Sequence, residues 1–245
     1  SVSENGKILN SKTNSNQKDH ASFLHQNIQT LLKELSLEIK QLSAVAVSNG
    51  PGSYTGLRVG ISSAKGLCYA LKIPLLAIGS LKIIAHDAIN QINEKDAIIC
   101  PMIDARRMEV FTTLYNYNLE ELQEGNAMIL NSESFKPILE SKIIYFSGSG
   151  SDKFNNVTTS KNAFFLEQKD IIQSMSELSY LKYNYNNFDD FKGASKGSWQ
   201  SGNFIGPVDP SASITDLEGA WVEGATKVYI KITRVHFTDG TSCGK

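Results

Sequence analysis

Cysteine is scarce in this chain. Cys68, Cys100 and Cys243 are its three thiols, far apart and in no metal-ligand spacing. That excludes a disulfide scaffold and any zinc-ribbon pattern, which need cysteines paired a few residues apart. Cys68 falls in a helix pattern and Cys100 in a strand pattern, so both are expected as reduced core thiols in a reducing, bacterial-type cytoplasm. Excess charge is lacking too: 24 Lys and Arg stand against 25 Asp and Glu, for a net charge of −1. No global footprint for nucleic acid follows from that balance; a local basic patch is still compatible with it. No apolar run reaches the ~18 residues of a membrane helix and no signal-peptide pattern is visible, so no membrane partner is expected. Histidine is also rare. His20 and His25 are five positions apart, about 140° around a helix, which is not the one-face spacing of H-x-x-x-H. No metal site is therefore expected, and no nucleophile constellation can be read, so no catalytic residue is assigned.

What the chain does have is a dense stretch at residues 42–60, LSAVAVSNGPGSYTGLRVG. Leu42 to Val47 reads as a buried strand. A loop with Gly50, Pro51, Gly52 and Gly56 follows, and a helix opens near Thr55 with Leu57, Ile61, Ala64, Leu67 and Leu71 on one face. Strand, glycine loop and helix can present backbone N–H groups to an anion. Two phosphate fingerprints fail here: G-x-G-x-x-G would need glycine at Thr55, and a P-loop would need Lys where Leu57 stands. A tight turn and an anion cradle both remain as readings. Gly56, Gly60 and Ala64 recur every four residues, leaving one side of the helix nearly bare. Such a side lets another helix approach closely, whether from the same chain or from a partner. On the partner reading, Gly60→Leu blocks association with little loss of fold.

The rest reads as an α/β chain. Asn5-Gly6 signals a hairpin turn with almost no strand before it. Asp19 is a candidate cap for a helix striped by Ala21, Leu24, Ile28, Leu31 and Leu35. Ser80–Ile92 and Asp170–Tyr183 read as helices; Leu75–Ile78, Ala97–Ile103, Glu109–Tyr115, Lys142–Phe146 and Ala163–Leu166 read as strands. Alternating strands and helices suggest two lobes, 1–93 and 94–190, with the boundary near Gln91–Asp96. The turn Asp104-Ala105-Arg106-Arg107-Met108 sets a carboxylate beside two guanidiniums that can hold a phosphate. Gly148 and Gly150, in Ser147–Gly150, form a second candidate anion-facing turn. Residues 191–220 are rich in Gly, Ser and Pro and read as a linker, and Thr226–Phe237 is a strong β segment.

The string Gly50-Pro51-Gly52-Ser53-Tyr54-Thr55-Gly56-Leu57-Arg58-Val59-Gly60 resembles the signature of the bacterial TsaB (YeaZ) family. Ala46-Val47-Ser48 before it, Ala64–Cys68 after it and Pro101–Val110 extend the resemblance, which runs through roughly residues 1–190. It implies an actin/Hsp70-like fold of two RNase H-like lobes, followed here by an atypical β-rich tail. It also implies a non-catalytic scaffold that pairs with its catalytic relative TsaD, joined by the ATPase TsaE, to make threonylcarbamoyladenosine in tRNA. On that reading the chain holds no cofactor of its own. ATP and threonylcarbamoyl-adenylate are handled by the complex, and tRNA is met through it. Gly50, Pro51, Gly52, Ser53, Tyr54, Thr55, Gly56 and Arg58 are then the hallmark loop. The helices bearing Leu24, Ile28, Leu31, Gly56, Gly60 and Ala64 supply the partner surface, unless those stripes face the lobe's own sheet.

Two departures stand out. The family's first strand, of the type I-L-x-I-[DE]-T, is missing ahead of Ser1, and residues 191–245 do not follow the family's C-terminal pattern. A truncated or composite chain is the expectation from both. Two other functions stay open: an independent actin-like ATPase or phosphotransferase, which would need carboxylates at its phosphate turns to hold Mg²⁺, and a homodimeric adaptor using the same helix.

Overall fold

The computed structural model of the chain describes residues 1–14, 20–191, 204–205 and 228–232. In chain order the strands and helices are β1 (Val2–Glu4), β2 (Lys7–Asn10), α1 (His20–Glu34), β3 (Leu42–Ser48), α2 (Tyr54–Leu71), β4 (Leu75–Ile78), α3 (Ser80–Ile89), β5 (Ile98–Arg106), β6 (Glu109–Tyr115), β7 (Glu121–Ile129), α4 (Lys136–Leu139), β8 (Ile144–Ser147), α5 (Ser151–Asn155), β9 (Ala163–Leu166), α6 (Ile171–Phe191), β10 (Phe204–Ile205) and β11 (Val228–Ile232). The described residues fall into two compact units. One is drawn from residues 1–49, 54–78 and 175 onward, the other from 50–53 and 79–174. This is the α/β class read from the alternation of patterns.

The first unit holds a sheet in the order β10-β4-β3-β11-β1-β2. Asn5 and Gly6 close the β1–β2 hairpin at φ 50° and 80°, the paired left-handed geometry that Asn-Gly adopts most cheaply. β3 is an almost unbroken buried run, as a strand covered on both faces must be. β4 lies parallel to it. Both long helices of this region end in left-handed residues. At α1, Ser36 takes φ 54° and Leu37 N–H reaches back to the Leu32 carbonyl; at α2, Lys72 takes φ 53° and Ile73 N–H reaches the Cys68 carbonyl. These closures cap the last carbonyls, and Pro74 prevents α2 from continuing. Val2, Ile28, Leu31, Val45, Ala64 and Cys68 are among the core side chains. The Asp19 cap lies outside the described residues.

The place between β1 and β3 is taken by β11, antiparallel to β1 and parallel to β3. The sequence gives a strand signal over Thr226–Phe237 but no sign of where it pairs.

The second unit holds a sheet in the order β7-β6-β5-β8-β9. β5, β6 and β7 form an antiparallel meander, while β8 and β9 run parallel to β5. Side chains of β5 alternate between two cores. Ile98, Cys100 and Met102 join Phe135, Phe146 and Phe154 on one side, and Ile99 and Ile103 join Leu81, Ile84 and Tyr145 on the other. Phe135, Phe146 and Phe154 meet at ring-centroid distances of 4.8–5.4 Å, the offset and edge-on range that aromatic rings prefer. β7 has no counterpart in the sequence reading, because nearly all its residues are exposed and it carries no apolar alternation.

Candidate functional site

α2 has two unlike sides. Gly60, Ala64 and Cys68 are buried, and Ala64 and Cys68 join residues of β3 and β4 in the unit's own core. The close approach that small residues permit is therefore made inside the unit. On α1, Ile28 and Leu31 are buried in the same core and Leu24 packs against it. The opposite side of α2 carries Tyr54, Thr55, Arg58, Ser62, Lys65 and Tyr69, all exposed. Tyr54 is 69% exposed and Tyr69 57%, large values for aromatic residues. The Arg58 guanidinium lies 4.7 Å over the Tyr54 ring, a cation–π contact one helical turn apart. α1 continues this surface: His25, Gln26, Gln29 and Lys33 are exposed, and His25 Nε2 lies 3.2 Å from Ser63 Oγ. Tyr54 and Arg58 belong to the hallmark string read from the sequence; Tyr69 is legible there only as the complement of the apolar and bare stripes.

The glycine loop joins β3 to α2. Gly50 and Gly52 take φ 104° and 157°, and the Gly50–Pro51 peptide is cis. Only glycine enters that first conformation without steric cost. The Gly50 carbonyl accepts the Ser80 N–H at 2.7 Å. Pro51, Gly52, Ser53 and Gly56 are half-buried.

Arg106 and Arg107 lie at the β5–β6 turn with φ 93° and 45°, a left-handed pair that ordinarily costs side-chain-bearing residues about 1 kcal/mol or more each. Both are exposed. The Asp104 carboxylate accepts the Arg106 N–H at 2.8 Å and Lys153 Nζ at 2.9 Å, and Lys153 Nζ also donates to the Glu109 carbonyl. Asp104 is thus balanced by Lys153, a residue that no motif in the chain marks. The Ser147–Gly150 turn adjoins this corner through the bond from Asp104 N–H to Ser149 Oγ. Its glycines serve packing. A Cβ on Gly148 would lie 2.2 Å from the Met102 carbonyl oxygen, and one on Gly150 would lie 2.7 Å from Val110. The Gly150 N–H donates to Met102 and the Ser151 N–H to Gly148, so those two donors already have protein acceptors.

Burial pushes the thiols of Cys68 and Cys100 up to about 12, since a thiolate is poorly solvated there. Neither is a ready nucleophile. Lys12 lowers the Glu34 carboxyl through hydrogen bond and charge. Among the described residues, no three His, Cys, Asp or Glu side chains come together as a metal site, and no helix is long and apolar enough to cross a membrane.

The family model described as "TsaD: tRNA N6-adenosine threonylcarbamoyltransferase" matches residues 7–177. The tRNA threonylcarbamoyladenosine biosynthesis protein TsaB of Bacillus subtilis is 38% identical over 132 residues, covering 50% of this chain and 56% of that one. The chain belongs to the TsaB (YeaZ) family. TsaB of Buchnera aphidicola from Acyrthosiphon pisum is 30% identical over 128 residues, covering 52% and 54%. The chain spans about half the length of these curated relatives. In shape it resembles a Pseudomonas aeruginosa protein described as similar to peptidase YEAZ, with a TM-score of 0.51 at 24% identity over 72% of this chain and 79% of that one. YeaZ of the same organism gives a TM-score of 0.50 at 22% identity, covering 69% and 79%. The fold is accordingly the actin-like, RNase H-like α/β type that the resemblance implied, and the glycine loop lies inside the matched region.

Proposed function

We propose that the protein acts in the synthesis of threonylcarbamoyladenosine in tRNA as a non-catalytic scaffold, pairing with a TsaD-type catalytic subunit through the outer side of α1 and α2. The observation that carries this reading is the exposed tyrosine stripe of α2. Tyr54 and Tyr69 stand out beside Arg58 and the polar side of α1, and aromatic residues with arginine are the composition favoured at the centres of protein interfaces. The buried small-residue side is committed to the unit's core, so the partner surface is the tyrosine side rather than Ile28, Leu31, Gly60 and Ala64. Family membership supports the pathway, and the names of the Bacillus and Buchnera relatives place those proteins in it. The nucleotide and adenylate chemistry then belongs to TsaD and the TsaE ATPase, with tRNA met through the complex.

Replacing Tyr69 by Glu tests the surface, because it sets an unpaired charge at the centre of the contact. Affinity for the cognate TsaD, measured by titration, is expected to fall more than tenfold while the circular dichroism spectrum stays unchanged. Unaltered affinity would reject this face.

A further inference from the structure

The two sheets repeat one pattern. In the second unit the order β7-β6-β5-β8-β9 has two antiparallel steps and then two parallel steps, with β5 at the centre. In the first unit β2-β1-β11-β3-β4 has the same steps in the same order, with β11 at the centre. The difference lies in chain order. β5 is the earliest strand of its sheet and joins β6 through a tight turn, whereas β11 is the latest strand of its sheet and lies outside the matched region 7–177.

The β1–β2 hairpin's place in the first sheet depends on that centre. Among the described residues, β1 pairs only with β11 and β2, so β11 is the hairpin's sole sheet link to β3 and β4. Val2 ↔ Ile230 and Ile230 ↔ Val45 are the register pairs that Ile230 makes on the two sides of β11. Val2 and Val45 are fully buried. An empty place would leave two inward-facing rows of backbone N–H and C=O groups without partners, a costly state for buried strand edges. A site one strand wide, with hydrogen-bonding edges on both sides and apolar surroundings, is what an added β-strand recognises.

We propose that the place between β1 and β3 is a strand-binding site, filled by the chain's own residues 228–232, and that it accepts the same segment supplied as a separate peptide. Its ligand class is an extended peptide rich in β-branched and aromatic residues, as in TKVYIKITRVHF, residues 226–237. Backbone bonds to both edges supply affinity, and the register Val2 ↔ Ile230 supplies specificity.

Two experiments on the full chain, with Cys243→Ser removing the remaining native thiol outside the described core, test this. In the first, Val2→Cys is combined with Ile230→Cys and the protein is oxidised. A disulfide within one chain is expected, and little with the out-of-register pair Glu4→Cys and Ile232→Cys. In the second, the Val2→Cys chain is incubated with a 226–237 peptide carrying cysteine at the position of Ile230. Cross-linking is expected to exceed that of a peptide with cysteine at the position of Ile232 by more than tenfold. A link formed only between two chains would give the site to a second copy and overturn the own-strand occupant. Equal or absent cross-linking by the two peptides would overturn the site's exchangeability.

Discussion

Gly148 carries the sharpest single-residue constraint in the second unit. Its φ of 103° and the 2.2 Å approach of a Cβ to the Met102 carbonyl act against any side chain. The obstacle is backbone of β5, which cannot swing aside as a flexible side chain would. Gly148→Ala is expected to destabilise the protein by about 2–4 kcal/mol, read as a lower urea midpoint with an unchanged m-value. The buried thiols give a second residue-level prediction. Folded Cys100 keeps its proton to about 12, while the unfolded thiol loses it near the reference value of 9.0. Its contribution is therefore whole below pH 9 and is lost as pH rises toward 12, by about 1.4 kcal/mol per pH unit. Urea midpoints measured between pH 8 and 10.5 should fall more steeply for the natural chain than for Cys100→Ala. Equal slopes would contradict the burial argument.

At the scale of elements, α2 shows how a helix divides its sides between core and surface. Gly60 is buried beside Ala64 and Cys68, so Gly60→Leu overpacks the core and is expected to cost about 1–3 kcal/mol. The sequence expectation was the reverse, blocked association with an intact fold; thermal unfolding of the variant separates the two. The lead into α6 is held by Asp87, a carboxylate only 3% exposed. It accepts the N–H groups of Lys169 and Asp170 at 3.0 and 2.8 Å. Asp87→Ala leaves both donors without that acceptor and is expected to cost about 2–4 kcal/mol, with faster amide exchange at Lys169 and Asp170. Unchanged exchange at those amides would refute the clamp.

Elements with a strong local signal were legible. β3 is a continuous apolar run, β9 is short and apolar, and α1 has a full amphipathic stripe. β7 was not legible, because Glu121–Ile129 is held by backbone bonds to β6 rather than by a buried face. The pairing of β11 was hidden for a different reason. It depends on partners at the other end of the chain, which no local pattern encodes. Adjacent guanidiniums and a Ser-Gly turn singled out Arg106, Arg107, Gly148 and Gly150 as candidate anion contacts; the structure gives the two glycines a packing role. The salt bridge that neutralises Asp104 comes from Lys153 on α5, a long-range contact. On the tyrosine side of α2, Tyr54 and Arg58 belong to the hallmark string, whereas Tyr69 is marked only by its exposure.

At the scale of the whole molecule, each unit has its own sheet and its own core, and the hallmark residues bracket a chain crossing between units at 53–54. Family membership rests on the matched span 7–177 and on the TsaB relatives. The proposed scaffold role stands on association with a partner. Its most direct test is a titration of the purified full chain against the cognate TsaD, followed by light scattering and repeated with Tyr69→Glu. The account predicts a one-to-one heterodimer with sub-micromolar to micromolar affinity, weakened more than tenfold by the substitution. A folded natural chain that remains separate from TsaD at tens of micromolar would contradict it.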